Sequence, residues 1–457
     1  MSLAHTFLET DRNFYRRLVK IAVPVILQSL ITTGVNLVDN IMLGQLTETA
    51  LSAATQANQF IGLFTFAIMG VSMGSSVLTS RYWGARDMVS LKKVITIALR
   101  FGLLLGLIFT LLDVFLSRQI MSLYFKPQEL AGIENGVVYL HWSAAAFLLM
   151  SISFVLTNIM RSAGLTRVPL IASVSAFGVN IGANYVLIFG KLGLPAMGVA
   201  GAALGTVIAR VVETGIILLF FLRNRTIFYR LRHLLEPCGD MVGEFLRISV
   251  PVMISDSLLG LGDNTLAIIM GQIGSSFVSA NSIVMMVQRI STIFITGLSF
   301  SGCFLTGQVL GEGRVDAAKK QGYTYLFLGM GVGLLAAGII QLFSGCVIEA
   351  YNITEETKAI AYQLMNAMCV CVIFRSVSSI LTKGVLRGGG DTRFLLVADM
   401  TTMWCIAVPL GALAGLRLHL PAFWIYLCLY SDQVMKAVWC IFRLRSGKWI
   451  KKIKGAA

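Results

Sequence analysis

Most of this chain consists of apolar runs of about 20 residues or more, and short polar segments separate them. A run of that length crosses the hydrocarbon core of a bilayer as an α-helix. Only 13% of the residues are charged, against about 25% in soluble domains. The runs are continuous rather than alternating, which disfavours a transmembrane β-barrel. We therefore expect an all-α integral membrane protein, and we exclude soluble enzymes and disordered chains.

Hydropathy and the positions of glycine and proline divide the chain into twelve predicted transmembrane helices. The longest predicted interior loop separates the sixth helix from the seventh. We expect an amino-terminal six-helix lobe at 1–222, a cytoplasmic linker at 223–244, and a carboxy-terminal six-helix lobe with a basic tail at 245–457. The predicted helix bounds are 21–44, 52–79, 94–117, 136–160, 168–190, 196–222, 245–271, 278–306, 322–345, 360–386, 394–416 and 421–443.

The sequence also repeats itself: at a shift of 227 residues, Pro24 falls on Pro251 and Gly44 on Gly271. Each repeat holds six predicted helices, and this even number makes both repeats enter the membrane from the same side. We therefore expect two pseudo-symmetric six-helix bundles around a cavity, which is the anatomy of an alternating-access transporter.

The basic residues indicate which side of the membrane is cytoplasmic. The formal net charge is +15, and most of the 37 Lys and Arg residues lie in the amino terminus, in alternate loops and in the tail. The positive-inside rule therefore places both termini in the cytoplasm of a multi-pass plasma-membrane protein. We interpret the tail after Arg443 as an anchor on the membrane surface and expect no nucleic-acid partner.

A gated channel and a membrane enzyme are alternative functions for such a chain. A channel would more naturally show a filter or a repeated pore loop. An enzyme would need a reactive set of residues, and the sequence has neither an HExxH nor a GxSxG motif. The eight cysteines have no CxxC spacing, so we expect no metal cluster and no disulfide framework. Because the sequence has no ATPase motif, the energy must come from an ion gradient.

Five segments carry a resemblance to a known family. They are Pro-Val-Ile-Leu-Gln at 24–28, Val-Asp-Asn-Ile-Met-Leu-Gly at 38–44, Arg-Ser-Ala-Gly at 161–164, Ile-Phe-Gly at 188–190 after two asparagines, and Leu-Arg-Gly at 386–388. By these segments, and in their order over nearly its whole length, the chain resembles the multidrug and toxic compound extrusion (MATE) family.

The resemblance implies export of organic, mainly cationic compounds in exchange for H⁺ or Na⁺ while two six-helix lobes rock. It implies small organic cations and the lipid bilayer as partners and no cofactor besides the coupling ion, and we expect a monomer. Lipid-linked oligosaccharide flippases of the same superfamily are the alternative. A flippase would need a cavity lined with Arg and Lys to hold a pyrophosphate, whereas bases within the predicted helices are few and partly matched by acids.

Asp39 is the strongest candidate for ion coupling. A charge within a bilayer costs at least about 2.5–3.5 kcal/mol on insertion scales, so each one invites a functional hypothesis. The carboxylate of Asp39 can take a proton, help to coordinate Na⁺ or attract a cationic compound, and Asn36 lies one helical turn before it. The resemblance assigns a function to an aspartate at this motif, and Asp39 matches it.

Asn180 and Asn184 are spaced i, i+4 and share one helical face. Their amide oxygens could ligate Na⁺ together with Asp39, or they could hydrogen-bond a protonated Asp39. Alternatively, they could serve as a polar contact between helices. Some family members have an aspartate where Asn184 stands. Tyr185 and Thr206 are further candidates for the same pocket.

The predicted carboxy-terminal lobe offers three further candidates for the cation-coupling and substrate site: Asp256, Asp263 and Asp399. Asp256 and Asp263 are i, i+7 on one face of the predicted seventh helix. Some family members carry a glutamate at the position of Leu259, between them, so either aspartate could substitute for it. Asp399 lies near Trp404 and is a secondary candidate.

Several other charges, within predicted helices and in one cytoplasmic turn, are interpreted as structural ion pairs. We expect Glu213 to pair with Arg210. The other members of this group are Arg289, Arg375 and Asp399 across helices, and Asp391 with Arg387 and Arg393 in a cytoplasmic turn.

Overall fold

The computed structural model describes residues 8–9, 11–125, 128–351 and 353–452. Within these ranges the chain forms helices joined by short turns, and none of these residues lies in a β-strand. The fold is therefore the predicted all-α membrane fold. The last residues of the basic tail, 453–457, lie outside the described residues.

Eleven helices in the described part of the chain are long and apolar enough to cross a membrane. Most run past the predicted ends, because their last turns are too polar to show in hydropathy. The predicted twelfth helix is interrupted at Tyr430, so that it forms two shorter helices, α12 and α13. The bounds are α1 Arg12–Gly44, α2 Glu48–Gly84, α3 Met88–Ser122, α4 Leu130–Ser162, α5 Arg167–Phe189, α6 Val199–Arg223, α7 Gly239–Ile273, α8 Ser275–Gly311, α9 Val315–Glu349, α10 Glu355–Leu386, α11 Thr392–Arg417, α12 Ala422–Leu429 and α13 Ser431–Arg445.

The chain divides into two compact units. The amino-terminal unit comprises Leu27–Thr79 and Asp87–Met253, and the carboxy-terminal unit comprises Met1–Ile26, Ser80–Arg86 and Ile254–Ala457. This division does not test the lobe boundaries deduced from the sequence, and they stay a prediction.

The predicted linker packs against α3 within the amino-terminal unit. It contains a short 3₁₀ helix, Leu231–Leu235. The Thr96 hydroxyl lies 2.9 Å from the Tyr229 hydroxyl, and Arg100 donates to the carbonyl of Leu234 at 2.6 Å. The guanidinium of Arg100 on α3 thereby satisfies backbone carbonyl groups of the linker that would otherwise need water.

Glycines let the helices of the amino-terminal unit approach closely. Gly106 of α3 lies against Ser151 and Phe147 of α4, and Gly205 of α6 lies against the side chain of Asn184 on α5. Small residues at such crossings are the usual means of helix packing in membranes. The second crossing also fixes the position of the Asn184 side chain relative to α6.

The carboxy-terminal unit incorporates the first part of the basic tail. Trp449 is fully buried and packs against Gly389 and Gly322. The Lys451 amide donates to the carbonyl of Gly389 at 3.0 Å, and Arg81 donates to the same carbonyl at 2.7 Å. The interpretation of the tail as a membrane-surface anchor is therefore corrected for Trp449 and Lys451, because the indole is buried within the carboxy-terminal unit and the Lys451 backbone is hydrogen-bonded there.

The turn at Asp391 also differs from the prediction. Asp391 forms ion pairs with Arg443 at 2.7 Å and with Lys451 at 3.3 Å. The expected pairing with Arg387 and Arg393 does not occur among the described residues. Arg387 is turned toward α7 instead, and Arg393 is exposed.

Candidate functional site

The amino-terminal unit brings Asp39, Asn180 and Asn184 together. The Asn184 side-chain amide donates to Asp39 Oδ1 at 2.6 Å, and its nitrogen lies 3.4 Å from Asn180 Oδ1. Both asparagines are buried, and Asp39 is half-buried. The i, i+4 spacing on α5 therefore places Asn184 against the carboxylate of Asp39 on α1 and Asn180 against Asn184.

Hydrogen-bonding capacity remains unused at this site. Within the described ranges, Asn184 Oδ1 and Asn180 Nδ2 have no hydrogen-bond partner. A buried polar atom without a partner costs about 1–3 kcal/mol. The site can therefore accept a further donor or a cation at the Asn184 oxygen without breaking an existing bond.

A cavity of about 50 Å³ is lined by Asn180, whereas Asp39 and Asn184 do not line it. Two further residues that the sequence indicated as site candidates, Asn36 and Thr206, also line this cavity. Tyr185 was expected here as well, but it is 52% exposed and does not line the cavity. The full lining is Ile31, Thr32, Val35, Asn36, Ser173, Ala176, Phe177, Asn180, Thr206, Ala209, Arg210 and Glu213.

Tyr139 of α4 was not identified from the sequence. It is 5% exposed, and its hydroxyl lies near the side chains of Asn58 and Thr206 and within electrostatic range of Asp39. Nothing in the sequence distinguishes it from the other tyrosines of the apolar runs, because its position follows from how α2, α4 and α6 pack.

The predicted ion pair of Arg210 and Glu213 lies on the wall of the cavity, with a 2.6 Å contact. The other Glu213 oxygen accepts from Ser173 at 3.0 Å, and Ser173 accepts from Gln28 at 2.7 Å. Arg161, in the last turn of α4, donates to Gln28. A continuous hydrogen-bonded chain therefore joins the cavity to the end of α4, a role that the sequence did not suggest for Glu213.

The carboxy-terminal candidates lie in two different environments. Asp256 is bound by Arg387, with contacts of 3.0 and 3.4 Å. Asp263 is exposed on the wall of a cavity of about 90 Å³. Asp256 does not line that cavity, so the shared helical face of the two aspartates does not bring them into one site.

Asp399 lines the same cavity but forms an ion pair with Lys436 at 2.8 Å. The expected ion pairs of Asp399 with Arg375 or Arg289 do not form among the residues that the structure describes. The reason is that Lys436 approaches from α13, which the sequence treated as the end of the last span.

The sequence of this chain matches the model of a known protein family. The MatE family model matches residues 24–186 and again residues 251–413. The two matches are offset by the same 227 residues as the internal repeat. They confirm both the repeat and the resemblance.

Relatives agree over almost the full length. The probable multidrug resistance protein NorM of Thermotoga maritima is 25% identical over 442 residues, which cover 96% of this chain and 93% of that protein. A crystal structure of MATE in the bent conformation has a TM-score of 0.85 at 19% identity and covers 96% of this chain and 99% of its own.

A second solved structure is described as a MOP superfamily transporter from Pyrococcus furiosus whose reversed pocket polarity suggests a different function. It has a TM-score of 0.83 at 19% identity over 96% of this chain and 99% of its own. At 19% sequence identity, the two solved structures show only that this chain shares their fold. With two family matches that together span more than half of its residues, this multi-pass membrane protein belongs to the MatE family.

Proposed function

We propose that the protein exports organic cations across the plasma membrane in exchange for H⁺ or Na⁺. The observation that carries this proposal is the environment of Asp39. In the described part of the chain, this membrane-helix carboxylate forms no ion pair, and its hydrogen-bond donor is the neutral amide of Asn184. Its charge is therefore available to a cation that comes and goes.

Exchange follows from competition for that one charge. When H⁺ or Na⁺ neutralises Asp39, an organic cation loses its attraction to the site and is released. When the ion leaves, the carboxylate recovers its charge and favours a new organic cation. The cycle runs without a cofactor or a chemical reaction, and the protein acts as a transporter rather than as an enzyme.

Either coupling ion suits the donor set. A proton would reside on Asp39 beside Asn184. Na⁺ would be held by Asp39 and by the side-chain oxygens of Asn180 and Asn184 once the Asn184 amide has turned its oxygen, in place of its nitrogen, toward Asp39, since hard cations prefer oxygen ligands. The name of the relative from Thermotoga maritima supports a drug as the exported compound.

The flippase alternative receives less support. The cavity of the carboxy-terminal unit is lined by three acidic and three basic residues. A lipid pyrophosphate carries several negative charges and would require a mainly basic cavity.

The exchange is tested in proteoliposomes with an imposed pH gradient or Na⁺ gradient and a fluorescent organic cation. We expect the wild type to move the dye under one of the two gradients, which identifies the coupling ion. Asp39→Asn should abolish gradient-driven movement. Asp316→Asn is the matched control, because its side chain is 95% exposed at the start of α9. Wild-type exchange by Asp39→Asn would refute the proposal.

The proposed topology, with both termini in the cytoplasm, is tested with the native cysteines. Cys346 is exposed near the outer end of α9 in this topology. Cys238 is buried, and burial raises the pKa of its thiol, so that less of the reactive thiolate forms at neutral pH. A membrane-impermeant maleimide should label intact cells, and Cys346→Ser should remove that label. Labelling that survives Cys346→Ser would contradict the topology.

A further inference from the structure

The cavity of the carboxy-terminal unit contains charges that the proposed exchange does not use. It has a volume of about 90 Å³ and lies among α7, α10, α11 and α13. Its charged lining residues are Asp263, Arg375, Lys383, Asp399, Asp432 and Lys436.

Three of these six charged side chains are in contact with one another. Lys436 is 2.8 Å from Asp399 and 3.6 Å from Asp432. Asp399 also accepts a hydrogen bond from Ser255, and Asp432 accepts one from Gln433 at 2.6 Å. This triad lies on one wall of the cavity and carries one net negative charge, and Asp432 Oδ1 has no hydrogen-bond partner among the described residues.

The other two basic residues are not part of the triad. The side chains of Arg375 and Lys383 form no hydrogen bond and no ion pair with any residue that the structure describes. Both lie within electrostatic range of Asp263; Arg375 also lies within range of Asp432, and Lys383 lies within range of Asp256 and Asp399. Asp256 is already bound by Arg387 through both oxygens.

The backbone around Lys383 is unusual. Residues Ile380–Leu386 form a π-helical segment within α10, and Thr401–Ala407 form another within α11. Both line this cavity, the first through Thr382 and Lys383 and the second through Met403. Such segments shift the register of the side chains and occur frequently at functional sites.

We propose that Arg375 and Lys383 bind a carboxylate group of the transported compound. A guanidinium matches a carboxylate through two parallel hydrogen bonds, and an ammonium adds a point charge. Asp263 lies in the same cavity and forms no ion pair among the described residues, and the three acidic and three basic lining residues balance one another. A cavity without excess positive charge holds a monoanion more readily than a phosphate, which is largely dianionic at neutral pH. This inference rests on the proposed export function and extends its substrates to compounds that carry a carboxylate.

The test compares two dyes that differ at one group. Rhodamine B carries a free carboxylate, and rhodamine B ethyl ester does not. Binding to the purified protein in detergent is measured by fluorescence polarisation without any ion gradient. We expect rhodamine B to bind wild type more tightly than its ester. Arg375→Gln and Lys383→Gln should each weaken rhodamine B binding about tenfold, which is the loss expected for a hydrogen bond to a charged group. Binding of the ester should not change.

Controls separate charge from folding. Arg375→Lys and Lys383→Arg keep the charge and should keep most of the preference, and Arg393→Gln removes an exposed base outside the cavity. At matched ionic strength, acetate should displace rhodamine B better than phosphate does. Equal affinity of wild type for the two dyes would overturn the anion site, and stronger displacement by phosphate would overturn the carboxylate assignment. Because no gradient is used, either result leaves the exchange at Asp39 to its own test.

Discussion

Asp39 differs in what it contacts from the acidic side chains discussed above, apart from Asp263, which lines the other cavity without an ion pair among the described residues. Glu213, Asp256, Asp391, Asp399 and Asp432 each lie within ion-pair distance of a base. A paired carboxylate is already neutralised, and removing it from its partner costs several kcal/mol. Asp39 meets an amide instead, so a mobile cation does not have to break an ion pair in order to bind.

The Asn184 amide is the first residue-scale target. Asn184→Ala removes the hydrogen bond to Asp39, and a hydrogen bond to a charged group contributes about 1.5–3 kcal/mol. We expect the rate of gradient-driven dye exchange to fall about tenfold or more, as measured in proteoliposomes. Asn13→Ala, at an exposed position early in α1, should retain the wild-type rate. Equal rates for the two variants would show that the amide does not support the carboxylate.

Gly205 provides a second residue-scale prediction. A Cβ at this position would collide with Asn184 Oδ1, whereas a Cβ at Gly215 of the same helix meets nothing within 4 Å. Gly205→Ala should therefore displace the Asn184 amide, lower the rate of exchange about as much as Asn184→Ala does, and lower the free energy of unfolding by about 1–3 kcal/mol.

Gly215→Ala should preserve exchange and leave stability unchanged or raised by about 0.5–1 kcal/mol, because alanine favours the helix. Thermal unfolding in detergent, combined with the exchange assay, compares the two variants. Loss of exchange in both would indicate a general requirement for glycine in α6 rather than a contact with Asn184.

At the scale of elements, helix existence was predictable and helix neighbours were not. Apolar length alone predicted α1 to α11, and the i, i+4 spacing correctly placed Asn180 and Asn184 on one face. The partner of Asp256 is Arg387, 131 residues away in the sequence, and no periodicity reports such a contact. The π-helical segments of α10 and α11 were not predictable from the sequence either, because their composition does not differ from that of an ordinary helix.

The contact of α6 with the cavity leads to an element-scale prediction. Glu213→Gln keeps the shape of the side chain but leaves Arg210 without its carboxylate beside the cavity. The uncompensated guanidinium should repel an organic cation and weaken its binding about tenfold, as measured by fluorescence polarisation.

The double variant Arg210→Gln and Glu213→Gln removes both charges and should restore affinity to within about threefold of wild type. A double-mutant cycle of this kind isolates the coupling between the two residues. If the double variant binds as weakly as Glu213→Gln, the defect comes from the hydrogen-bonded chain through Ser173 and not from the charge of Arg210.

At the scale of the whole molecule, the repeat was predictable from identities alone, and the family matches confirm it. The role of the tail was not predictable, because basic residues are equally suited to a membrane surface and to buried partners. The decisive residue is Trp449, whose environment depends on Gly389 and Gly322 in distant helices.

Burial of the tail predicts a large effect on stability. Trp449→Ala should lower the free energy of unfolding by about 3–5 kcal/mol, the usual cost of truncating a buried aromatic residue. Trp424→Ala is the control, because Trp424 is 54% exposed. Thermal unfolding in detergent measures both. If Trp449→Ala is as stable as Trp424→Ala, the interpretation of the tail as an anchor on the membrane surface would stand.

The position of Lys451 has a consequence for biosynthesis. Arg81 donates to the carbonyls of Gly389 and Lys451, so a side chain translated early depends on acceptors that lie 308 and 370 residues later in the chain. Neither acceptor exists while the helices between α2 and α10 are being synthesised and inserted. Until both have been translated, the guanidinium of Arg81 depends on water or lipid headgroups for these hydrogen bonds.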